Sequence, residues 1–250
     1  MTWIVPPVPT VRLVVRLGLA LTIYASLRAA GFYDFTGRET DGLNTLILLV
    51  GGIYSVLLAF TIFVIWGQFT EVENCVMREC DALEDLARFS EYLNPDASAA
   101  IRRSIGAYAQ RVLKSEWDFL GDGQRDKQSE ALFSQLVKAV VDLVPQTDAE
   151  WAMRVRLIDI VQEAGERRGA RVANSLKRLP PTLASLVNTI AGVLLCLVFI
   201  YPFHHWLTGS ACFAVVGVVL FLANFTMKDT DNPLKGLWNV SPRPFADLKP

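Results

Sequence analysis

The chain has 250 residues, of which 52% are hydrophobic and only 20% charged, with a mean hydropathy of +0.33 and a formal net charge of -1. A soluble domain of this length carries more charge, so the apolar excess must face lipid, and without a basic field nucleic acid is not an expected partner. Cys75 and Cys80 lie in the charged middle and Cys196 and Cys212 in apolar runs, which suits neither a disulfide framework nor a metal cluster. No metal and no cofactor are expected.

The charges crowd into the middle of the chain, leaving long apolar stretches near both ends. The first stretch, about Val11 to Tyr33, is interrupted by Arg12, Arg16 and Arg28, with eleven uncharged residues between the last two. Snorkelling arginines make it a membrane span; the competing reading is a secretory signal peptide, whose plan Arg28-Ala29-Ala30-Gly31 imitates. The loop that follows holds Asp34, Glu39 and Asp41 against Arg38, without the spacing of a calcium loop. Leu43 to Trp66 then runs 24 residues without a charge, long enough at about 1.5 Å per residue for a helix to cross a core of roughly 30 Å.

Residues 67–182 hold 16 Lys+Arg and 19 Asp+Glu, so this region faces water. Its apolar residues recur at helical spacing: Val72, Val76, Leu83 and Leu86; Ile101, Ile105, Tyr108 and Val112; Leu132, Leu136, Val140 and Val144. Four amphipathic helices fit, broken at Asn94-Pro95, Gly121-Asp122-Gly123 and Pro145. Thr147 and Glu150 form a capping box that opens the last helix, which runs to about Leu179. Nothing between Leu43 and Phe89 breaks a helix, so the second span is expected to continue as one rod of roughly 70 Å. The last helix is likewise expected to enter the third span through Pro180-Pro181, kinked but not separated.

Leu183–Phe203 and Leu207–Met227 read as a hairpin of two further spans, closed by His204-His205-Trp206. The adjacent histidines suggest a metal, but beside Trp206 they read as interfacial anchors; Trp66, Tyr201 and Trp206 likewise fall at span ends, where aromatic residues mark the headgroup belts. Lys177, Arg178 and Arg171 precede the third span and Lys228, Lys235 and Arg243 follow the fourth, which puts those sides in the cytoplasm. The expectation is therefore an all-α protein of the inner (plasma) membrane with four spans and both termini cytoplasmic. It divides at 1–66, 67–182, 183–227 and 228–250, with the helical cytoplasmic domain between the second and third spans.

The string Gly52-Ile53-Tyr54-Ser55-Val56-Leu57-Leu58-Ala59-Phe60, followed by Ile65-Trp66 and Glu79, resembles the second-span signature of the bestrophin-like membrane family of bacteria and plants. Arg167-Arg168 to Arg171 before Leu179-Pro180-Pro181, and Asp231-Asn232-Pro233-Leu234-Lys235-Gly236 after the fourth span, agree with it. The chain departs at Cys80, where the family usually has Ala, and at Leu234, where it has Phe. The resemblance implies a homo-oligomer, by analogy with bestrophins a pentamer, whose second spans line an ion-conducting pore with a hydrophobic neck. The acidic calcium clasp of true bestrophins does not carry over, because Leu237-Trp238-Asn239 stands where acids would be needed.

The residues themselves leave two readings of the second span. Gly52, Val56, Phe60 and Phe63 share one stripe, and Gly51, Ser55 and Ala59 a neighbouring stripe of small residues that usually means helix packing. In a ring of identical subunits one stripe must face the axis, and the bulky one would form a constriction that gates by dewetting. Asp34, Glu39 and Asp41 at one mouth and Glu71 and Glu73 at the other would then favour cations. If Arg38 and Arg78 pair with these acids, or the acids turn outward, screening over roughly 8 Å removes the effect. No nucleotide loop, dinucleotide fingerprint, HExxH or nucleophile elbow is present, so an enzyme is not expected. The alternative to a channel is a non-conducting scaffold or sensor, anchored in the bilayer and presenting its cytoplasmic helices to a partner.

Overall fold

The computed structural model describes residues 18–19, 22–24, 26–27, 30 and 40–248. Arg12, Arg16, Arg28, Asp34, Arg38 and Glu39 lie outside the described residues. Within the first apolar stretch, the described residues from Gly18 to Leu27 are helical, with Thr22 Oγ1 donating to the Gly18 carbonyl at 2.8 Å and Ser26 Oγ to that of Thr22 at 2.9 Å.

No strand occurs among the described residues. The elements from Thr40 onward are α1 (Thr40–Ser90), α2 (Pro95–Arg111), a π-helical turn (Val112–Glu116), α3 (Trp117–Gly121), α4 (Lys127–Val141), α5 (Asp148–Leu176), α6 (Pro181–Ile200), α7 (Trp206–Thr230) and α8 (Arg243–Asp247). Among the described residues, three stretches are long and apolar enough to cross a membrane, by length and composition: Thr40–Ser90, Asp148–Ile200 and Trp206–Thr230.

α1 is unbroken over 51 residues, about 75 Å at 1.5 Å per residue, as the absence of Gly-Pro punctuation after Leu43 implied. The cap predicted at Thr147 is in place, and the break at Asn94-Pro95 supplies a second one. Asn94 Oδ1 accepts from Ala97 N–H at 2.9 Å, and Thr147 Oγ1 accepts from Glu150 N–H at 3.1 Å. The Glu150 carboxylate reaches back to Gln146 N–H at 2.6 Å, one residue beyond the usual capping-box partner.

Two expectations fail. α5 does not run into the third span: it ends at Leu176, and Lys177 to Pro180 are non-helical before α6 begins at Pro181. Pro180 disfavours helical geometry at Leu179, and neither proline offers an N–H to carry the hydrogen-bond ladder across. Val144 does not extend the α4 stripe either; the helix stops at Val141 and Val144 is 80% exposed, because Pro145 holds its predecessor extended.

The chain forms two compact units. One takes the chain up to Phe63 together with Leu179–Lys228, and the other takes Val64–Arg178 together with Asp229–Pro250. In the first, α1 and α6 meet where Gly51 lies against Leu194; Tyr24 packs edge-on against Phe199 and stacks on Phe213. In the second, the predicted stripes of α1, α2 and α4 close with α5 on one core containing Val72, Leu83, Ile105, Leu136 and Leu157, and the tail adds Leu234, Val240, Phe245 and Leu248 to it.

Candidate functional site

α1 carries a face that no other described residue covers. Gly52, Val56, Phe60 and Phe63 are all exposed, Val56 by 70% and Phe63 by 74%. A Cβ added at Gly52 meets nothing within 4 Å. In the neighbouring stripe Gly51 lies against Leu194 of α6, while Ser55, whose hydroxyl donates to the Gly51 carbonyl at 2.8 Å, and Ala59 stay exposed. The exposed face continues at steps of three or four through Gly67, Glu71, Asn74, Met77, Asp81, Glu84 and Arg88. One face of one helix thus stays open along its length, apolar to Phe63 and largely polar after Gly67.

Of the predicted mouth acids, Asp41, Glu71 and Glu73 are exposed; Asp34 and Glu39 lie outside the described residues. Glu71 Oε1 accepts a weak contact from Cys75 Sγ at 3.7 Å. Neither Glu71 nor Glu73 enters an ion pair with Arg78 among the described residues. Among these residues no cluster of His, Cys, Asp and Glu could hold a metal ion.

Behind the open face lies a sealed charge network that stripe reading passed over. Arg171, on α5, is fully buried; its Nε donates to Glu79 Oε2 at 2.7 Å, and its Nη2 donates to Glu116 Oε2 at 2.9 Å and to the Tyr108 hydroxyl at 3.1 Å. Tyr108 in turn donates to Glu79 Oε1, and Arg168 Nη2 donates to Glu116 Oε1 at 3.1 Å. Two carboxylates and two guanidiniums balance, as buried charge requires. Phe245 of the tail lies over Arg171, its ring centre 5.3 Å from Cζ.

The network shapes the protonation of its members. Burial alone would lower the Arg171 pKa, but Glu79 leads the opposing charges, and the guanidinium is held well above its ordinary value. Burial first, and Glu79 second, push the Tyr108 hydroxyl well up; the same two causes raise the Cys80 thiol. Arg171, Tyr108 and Cys80 thus keep their protons at neutral pH, and the hydrogen bonds of the network clamp α1, α2, the π-helical turn and α5 together. The sequence did hold the signal: Glu79 occupies the vacant place on the stripe between Val76 and Leu83, and Glu116 follows Val112 by four. A charge in register with an apolar stripe must meet an opposite charge inside.

A family model described as the bestrophin-like domain matches residues 14–245. The chain belongs to the bestrophin-like family. Residues from each of its three signature segments help to tie together the helical unit of this bestrophin-like chain. Glu79 pairs with Arg171; Asn232 Nδ2 donates to the Gly121 carbonyl at 2.8 Å; and Lys235 Nζ reaches Asp122 Oδ1 at 2.6 Å. Among solved structures, a variant of a bacterial bestrophin homologue from Klebsiella pneumoniae is similar, with a TM-score of 0.71, 11% identity, and 95% of this chain and 98% of that chain covered. Another variant of the Klebsiella homologue gives a TM-score of 0.70 at 11% identity, covering 98% and 99%. At that identity the likeness establishes the fold, a bestrophin-like membrane fold. No curated relative matches the chain.

Proposed function

We propose that this bestrophin-like protein is a homo-oligomeric ion channel of the inner membrane, in which α1 of each subunit lines the pore. The observation that carries this reading is the open face of α1. A stripe facing lipid has no reason to persist on the same side of the helix once its residues turn polar. A stripe facing a water-filled axis does: bulky Val56, Phe60 and Phe63 form the dewetting neck, and Asn74, Asp81 and Glu84 line a wet vestibule beyond it. Gly52 lets the helices approach above the neck.

In this reading the first apolar stretch completes a four-span topology with both termini cytoplasmic, and the helical unit between the second and third spans lies in the cytoplasm. Family resemblance supports a ring, with five subunits as the number to test. The exposed carboxylates of Asp41, Glu71 and Glu73, repeated around an axis and joined by Asp34 and Glu39, concentrate cations at both mouths. The channel therefore prefers cations.

The experiment is reconstitution of the full chain in a planar bilayer under a potassium chloride gradient. A reversal potential near the potassium equilibrium value is expected, with larger conductance in Phe60→Ala and Phe63→Ala. A reversal near the chloride value rejects the selectivity; unchanged conductance in both variants moves the neck elsewhere. A monomer by mass measurement in mild detergent, with no current, rejects the channel and leaves the scaffold reading. That reading has one specific support, the exposed apolar group of Val144, Trp151 and Val155 on the helical unit.

A further inference from the structure

We propose that the turn after α7, with the adjoining face of α1, is a seat in the lipid headgroup layer: Leu237, Trp238 and Trp66, the last backed by the half-buried Phe69, enter the interfacial zone and fix the depth at which the helical unit begins. This goes beyond conduction and stands whether or not the protein carries ions.

The turn is built to present apolar groups. Asp229 Oδ2 accepts from Leu237 N–H at 2.9 Å, Asn239 Nδ2 donates to the Gly236 carbonyl at 3.1 Å, and Val240 N–H closes the turn on the Pro233 carbonyl at 2.8 Å. Gly236 sits at φ +116°, where an added Cβ would lie 2.9 Å from the Asp229 carbonyl oxygen. The polar atoms of the turn are thus bonded inward. Its two large apolar side chains are left outside, Leu237 53% and Trp238 47% exposed. Trp238 meets the Trp66 ring edge-on at 5.5 Å, and Trp66 stacks on Phe69 at 5.9 Å, with Trp66 itself 48% exposed.

Two chain paths bring this cluster to one level. Trp66 ends the uncharged run of α1, and the next charge is Glu71; Phe69 lies about 4.5 Å further along the axis. On the other path the apolar run of α7 ends at Met227, Lys228 follows, and Asp229 anchors the turn. An exposed aromatic cluster at the point where two candidate spans end is what the headgroup layer accepts, since indole rings combine an apolar body with a polar N–H. The occupant is therefore lipid rather than water or a second copy.

The test uses the full chain with Cys196→Ala and Cys212→Ala, leaving the buried Cys75 and Cys80 in place. Leu237→Cys is labelled with a nitrobenzoxadiazole fluorophore, and the protein is reconstituted into phosphatidylcholine–phosphatidylglycerol vesicles. Nitroxide lipids labelled near the headgroup are expected to quench this fluorophore severalfold more than iodide present on both sides of the membrane. A label at Val144→Cys is expected to show the reverse. Trp238→Cys provides a second position with the same readout. Iodide quenching at 237 and 238 equal to that at 144 overturns the proposal, and so does protection from both quenchers, which would mean that a second copy covers the turn.

Discussion

Glu79 and Arg171 lie 92 positions apart in the chain, and both side chains are sealed from solvent. Removing one partner strands the other, which costs about 3–5 kcal/mol for a buried pair. Arg171→Met and Glu79→Leu are each expected to lower the melting point of the purified protein steeply, and the double variant by less than the sum; additive losses in melting curves in detergent would mean that the two do not act as a pair. A second pair at the rim carries a pH dependence. Asp126 caps α4 and accepts from Arg111 Nε at 2.6 Å and Nη2 at 3.0 Å, and these hydrogen bonds hold its carboxyl below the usual range. A carboxyl with a depressed folded-state pKa stabilises the fold above its ordinary value, near 4, and loses that contribution as pH falls through the lower folded value. Asp126→Asn keeps the cap and removes the charge. It is expected to be weaker by about 1–2 kcal/mol at neutral pH and to lose less than the parent between pH 5 and 2, as read from unfolding midpoints across that range.

At the scale of elements, periodicity located α1, α2 and α4 because each presents an apolar stripe to one shared core, and the capping box at Thr147 located α5. It misjudged their ends where proline geometry overrides the stripe, at Val144 and at Leu179-Pro180. It also passed over Glu79 and Glu116, since a search for apolar residues steps across a charge even when the charge keeps the period. Loop glycines are legible only from the fold. Gly121 and Gly236 look alike in sequence, yet an added Cβ at Gly121 meets the flexible Lys235 chain, at 2.7 Å from Cε, whereas at Gly236 it meets backbone at a positive φ. Gly121→Ala is expected to cost under about 1 kcal/mol, by displacing an exposed ion pair. Gly236→Ala is expected to cost about 1–3 kcal/mol through backbone strain. Paired thermal melts check the order, and equal losses would mean that the turn relaxes freely.

For the whole molecule, hydropathy separated apolar from charged regions, but it assigned the tail after Lys228 no packing role. The structure gives it one: Leu234, Val240, Phe245 and Leu248 complete the core of the helical unit. Burial of side chains of this kind contributes about 1.5–3 kcal/mol each, and four of them match the whole stability of an ordinary domain, about 5–15 kcal/mol. A chain ending at Lys228 is therefore expected to reach the membrane without a folded helical unit, seen as rapid proteolysis of residues 64–178 where the full chain resists. The spacing of Glu79 and Arg171 also sets an order of events during synthesis. At roughly 5–20 residues per second, Glu79 leaves the ribosome about 5–20 s before Arg171, and Phe245 follows later still. Throughout that interval the carboxylate end of α1 must stay hydrated, so the charged half of the rod cannot follow its apolar half into lipid. A side chain that ends up sealed from water thus first serves, after Glu71 and Glu73, as one more charge that keeps this half of the growing helix hydrated.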